Sequence, residues 1–94
     1  MRKTLQGRRF DTDVSDLIGA ARAKVPRDYS SWWEAGLYVT PLSRRFFLAG
    51  RGGSMTRWRG REGIFELTKE EACAWIEEHL GAKAASTFNK EEAA

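Results

Sequence analysis

"SSWWEAGLYVTPLSRRFFLAG", residues 30–50, decides the architecture. Its first half alternates, with Trp33, Ala35, Leu37 and Val39 on one side and Trp32, Glu34, Gly36 and Tyr38 on the other. Period two is the mark of a strand whose faces meet different surroundings. "PLS" at 41–43 reads as a turn, because Pro41 fixes φ. Residues 44–50 are then apolar on both faces at Phe46, Phe47 and Leu48, as in a central strand. The two strands predict a hairpin at the middle of the chain.

Working outward, "GIFEL" (63–67) reads as a third short strand. "TKEEACAWIEEHLG" (68–81) reads as a helix: Thr68 and Glu71 form a capping box, in which hydroxyl and carboxylate each satisfy a free backbone amide. Ala72, Trp75, Ile76, His79 and Leu80 make its buried stripe, and Gly81 is its stop. On the other side, "KTLQGRRF" (3–10) reads as a short strand or extended lead-in. "DTDVSDLIGAARA" (11–23) reads as a second helix, with Val14, Leu17, Ile18 and Ala21 as its stripe, Asp11 or Thr12 as its cap and Pro26 beyond its end. The expectation is an α+β domain, a small antiparallel sheet of three to four strands packed against two helices in the order β-α-β-β-β-α. Residues 1–82 form the domain, and the polar, small-residue tail 83–94 is expected to fray.

Ninety-four residues suffice for one modest core. A hydrophobic content of 41%, with four tryptophans, is too high for a disordered chain. No apolar run approaches the roughly 18–20 residues of a membrane helix, and no apolar segment follows the basic start as a secretory signal requires. Cys73 is alone, which excludes an internal disulfide and a cysteine cluster and points to a reducing, cytoplasmic setting. The net charge of +3 is unevenly spread. Residues 31–63 hold six arginines against Glu34 and Glu62, whereas residues 64–94 hold three lysines against seven glutamates. A basic middle and an acidic end imply a polarised surface.

Little in the chain supports catalysis. His79 has no second His, Cys or convergent carboxylate at metal-ligand spacing, so it reads as structural or surface. Cys73 and Ser54 lack an activating base, and no catalytic residue, metal, cofactor or small-molecule substrate is expected. "GRGGS" (50–54) lacks the spacing and the lysine of a phosphate loop, and its glycines read as freedom for positive φ at the end of a strand. The arginines are more informative. Arg51, Arg57, Arg59 and Arg61 surround Trp58, and Arg44 and Arg45 precede the central strand. In an extended chain Arg57, Arg59 and Arg61 would point one way. Arginines around a tryptophan suit phosphates and a stacked base, and they equally suit a hot spot on an acidic protein. These seven residues form the expected partner-binding set, with both partner types open.

"GLYVTPLSRRFFLAGRGGSMTRW" (36–58) resembles the pattern "LYxxxxGxFFLxGxGGxxSxY" of a family of small phage and mobile-element proteins. That pattern is framed by "GxxYDTxxA" and "LTxEEAxxWxExH", against "GRRFDTDVS" (7–15) and "LTKEEACAWIEEH" (67–79) here. The resemblance covers about four-fifths of the chain, in the same order. It implies a stoichiometric binder and not an enzyme: an anti-CRISPR protein that contacts an acidic surface of a Cas effector subunit in the bacterial cytoplasm and blocks target DNA binding or cleavage. A pI of 9.4 argues against DNA mimicry. The alternative is a small basic nucleic-acid-binding accessory protein of a phage or mobile element. The chain departs from the family pattern at Arg45 and Arg51, where acidic residues are common, and at Trp58, where the family has Tyr.

Overall fold

The computed structural model describes residues 1–93. The central stretch forms β4 (Trp33–Val39) and β5 (Phe46–Gly52), paired antiparallel with Val39 opposite Phe46 and Trp33 opposite Gly52. Thr40 closes the turn between them. Its amide donates to the Arg45 carbonyl at 2.9 Å, and its hydroxyl accepts from the Arg45 amide at 2.9 Å. β6 (Glu62–Leu67) pairs with β5, and β3 (Asp16–Arg22) pairs with β4, giving a four-stranded antiparallel sheet in the order β3-β4-β5-β6.

The two faces of this sheet carry separate cores. Ala35, Leu37, Val39, Phe46, Leu48 and Leu67 turn toward the helices and form one cluster with Ala72, Trp75 and Ile76. Phe47, Ala49 and Ile64 turn the other way and meet Phe10, with Leu5 and Tyr38 packed beside them. Phe10 and Phe47 have no exposed surface, and their rings lie 5.2 Å apart. The apolar doubling at Phe46 and Phe47 thus serves two cores at once. Burying each such ring contributes about 2–3 kcal/mol.

Phe10 comes from a hairpin, β1 (Arg2–Leu5) and β2 (Arg8–Asp11), which forms the layer opposite the helices. Gln6 and Gly7 both take positive φ, as a two-residue hairpin turn of matching twist requires. The lead-in expected over 3–10 is therefore two strands.

Residues 11–23 are not a helix. Asp11 ends β2, buried, where its carboxylate accepts from Arg9 and from the Asp13 amide. Thr12 accepts from the Met1 amine. Residues 16–22 are the edge strand β3. A register shift between Leu17 and Gly19 marks a β-bulge. Ile18 and Ala21 reach the helix-side core, while Val14 and Leu17 are exposed at 66% and 57%. A stripe at i, i+3, i+4 and i+7 can be imitated by a bulged strand. Gly19 also lets the Leu80 side chain lie where its own Cβ would be.

α1 (Lys69–Leu80) follows the sequence reading closely, with both bonds of the Thr68–Glu71 capping box in place. The expected loose tail is instead α2 (Ala82–Ala93). Ala85 and Phe88 are buried, and Phe88 meets Phe46 edge-on at 5.3 Å. An alanine-rich stretch has high helix propensity, and two apolar residues at i, i+3 anchor it. The fold is a small α+β domain, with the order β-β-β-β-β-β-α-α in place of β-α-β-β-β-α.

Candidate functional site

The glycines after "FFLA" are explained by close packing. A Cβ on Gly50 would lie 2.2 Å from the Glu34 carbonyl oxygen, and one on Gly53 would lie 2.3 Å from that of Ser30. A Cβ on Gly52 would meet Thr56 Oγ1 at 2.5 Å and Trp58 Cδ1 at 2.7 Å. Positive φ is confined among the glycines to Gly7, Gly60 and Gly81, so the expected backbone reason gives way to a steric one. These glycines let the 53–61 segment fold back onto the sheet.

That segment is a chain of turns, with Thr56, Arg59 and Arg61 amides donating to the carbonyls of Gly53, Thr56 and Trp58. Arg57, Arg59 and Arg61 are therefore not aligned as on a strand, although all three are exposed. Trp58 is 5% exposed, belongs to the helix-side core and packs on Phe65 at 5.1 Å. Its indole is part of the core. Indole size and apolarity outweigh its arginine neighbours, of which Arg57 lies with its guanidinium 5.7 Å from the centre of the Phe65 ring.

The remaining expected residues divide between the ends of the sheet. Arg44 and Arg45 sit at the β4–β5 turn, where Arg44 pairs with Glu92 and Arg45 with Glu66 at 3.1 Å. Arg51 lies at the opposite end, its Nε 2.7 Å from Glu34 Oε1. There the register sets Arg22, Glu34, Arg51 and Glu62 in one row across the four strands.

The same end gathers residues that the sequence reading passed over. Residues 23–32 connect β3 to β4, and they are tied to the 53–61 turns by bonds from the Gly53 amide to the Trp32 carbonyl (2.7 Å) and from the Met55 amide to the Ser30 carbonyl (3.0 Å). A meander brings its first and third connections to one end, so Lys24 and Arg27 lie at the same end of the sheet as the arginines of 57–61. The Arg27 guanidinium lies 5.1 Å from the centre of the Trp32 ring, and that of Arg51 lies 5.9 Å from it. Arg22, Lys24, Arg27, Arg57, Arg59 and Arg61 form no ion pair among the described residues. The helix layer has the opposite sign, with six glutamates against Lys69, Lys83 and Lys90.

His79 is packed between Trp33 and Trp75, with ring centres at 4.9 and 5.0 Å, and its Nε2 lies 3.3 Å from Glu78. Cys73 is half-buried against the core. The amide of Thr68 donates to Glu71 and, with the Thr68 hydroxyl, holds that carboxyl below its ordinary pKa. No group of three or more His, Cys, Asp or Glu side chains is placed to hold a metal ion among the described residues. No helix among them is long and apolar enough to cross a membrane. Comparison of the chain with protein-family models, curated proteins and solved structures finds no match.

Proposed function

We propose that this protein is an inhibitor from a phage or mobile element that binds a Cas effector subunit stoichiometrically and blocks target DNA binding or cleavage. The observation that carries this reading is the cationic end of the sheet, where two loops present arginines and a lysine without carboxylate partners. Cations left unpaired beside a well-packed core are available to an acidic surface on another molecule. The resemblance of its ordered motifs to those of small phage proteins supports the same reading. The contact set is Arg57, Arg59 and Arg61, and Trp58 supports it from beneath.

Exposed charges of this kind govern association rate and its salt dependence more than final affinity. The tagged protein, mixed with purified effector complexes, should retain one of them at one-to-one stoichiometry and suppress its cleavage of target DNA. Cleavage unaffected by a molar excess of the protein, across the effector types tested, would overturn the proposal.

A further inference from the structure

The β3–β4 connection encloses a cleft of about 550 Å³, lined by Arg22, Lys24, Arg27, Trp32 and Glu34 among others. That volume falls within the roughly 300–1,000 Å³ of ligand-sized clefts. Its three cations have no ion-pair partner among the described residues, and its one carboxylate, Glu34, is held by Arg51. We propose that this cleft binds a segment of single-stranded nucleic acid, with phosphates at Arg22, Lys24 and Arg27 and one base on the Trp32 indole.

Three features favour this ligand. Several unpaired cations around one concave wall match a polymer that carries a charge at every residue. Trp32 is only half-buried, and the guanidiniums of Arg27 and Arg51 lie over its ring at 5.1 and 5.9 Å, so a base stacking on the indole would displace one of them toward the phosphates. Tyr29, 56% exposed in the same loop, offers a second ring. A duplex keeps its base faces inside and can use the cations alone. An acidic peptide would satisfy the cations and leave the indole without a specific role.

The proposal is separable from inhibition of a Cas effector, because the probe is a free oligonucleotide. Fluorescence anisotropy of a labelled twelve-residue oligothymidine should report binding by the full chain. With three phosphates neutralised, affinity should fall roughly 20-fold between 50 and 200 mM salt. Trp32→Ala should weaken binding about tenfold or more at unchanged salt slope, and Trp32→Phe should restore most of it. The double change K24Q/R27Q should flatten the slope by about 1.4. Circular dichroism checks that each variant folds. No binding at 50 mM salt would overturn the proposal. So would duplex DNA binding as tightly as the single strand, or insensitivity to Trp32→Ala. Polyglutamate of equal length binding as tightly as the oligonucleotide would assign the cleft to an acidic protein segment instead.

Discussion

The two ends of the sheet carry the same residue type in opposite circumstances. At the β4–β5 turn, Arg44 and Arg45 each meet a glutamate, and those carboxylates come from α2 and β6. At the other end only Arg51 is paired, with Glu34, while Arg57, Arg59 and Arg61 on one side and Arg22, Lys24 and Arg27 on the other form no ion pair among the described residues. An arginine already paired within its own chain has little to offer a second molecule. The proposed contact surface therefore rests on the distribution of carboxylates around the arginines and not on arginine content.

The largest expected effect falls beneath the cationic end. Trp58→Ala should cost about 3–5 kcal/mol of stability, read as a lower urea midpoint, because it empties a core site. A Trp58→Ala protein as stable as wild type, yet unable to bind its partner, would restore Trp58 to the surface. Gly50→Ala comes next. Its Cβ would be driven into the Glu34 carbonyl, and a loss on the order of 2 kcal/mol is expected by the same measurement.

Smaller effects test the elements that flank the comparison. Thr68→Ala removes the cap of α1 and should cost about 1 kcal/mol. The same cap has a pH signature. The Glu71 carboxyl is held below its ordinary value of 4.5 in the folded chain, so its contribution is present above that value. It is lost as pH falls through the lower folded value, and Glu71→Gln should remove that part of the acid dependence in urea midpoints taken from pH 7 to pH 3. Arg45→Gln comes last. Its pair with Glu66 is partly exposed, so it should cost less than about 1 kcal/mol and leave partner binding unchanged.

Much of this fold was legible because its strongest signals are local. The alternation over 33–39, the Pro41 turn and the Thr68–Glu71 box each depend on residues within a few positions of one another. The misread segments depend on distant partners. Residues 16–22 carry a helical stripe, but β4 offers them an open edge and a bulge lets Ile18 face the core. The tail shows only Ala85 and Phe88 as apolar anchors, and Phe88 gains its value from Phe46, more than forty positions away. The candidate site divides in the same manner. The arginines of 51–61 stand out in the sequence, yet Trp58 among them is claimed by Phe65 and the core. Lys24, Arg27 and Trp32 join them only because the sheet is a meander, and strand order is not written in any one segment.

The central claim is that the unpaired end, and not the paired one, meets the partner. The most direct test compares inhibition of one purified Cas effector by the wild-type protein, by R44Q/R45Q and by R57Q/R59Q/R61Q at matched salt. The account predicts that R44Q/R45Q inhibits as wild type does, while R57Q/R59Q/R61Q folds normally and needs at least about 30-fold more protein, equivalent to about 2 kcal/mol. Equal inhibition by all three proteins, or a loss confined to R44Q/R45Q, would contradict it.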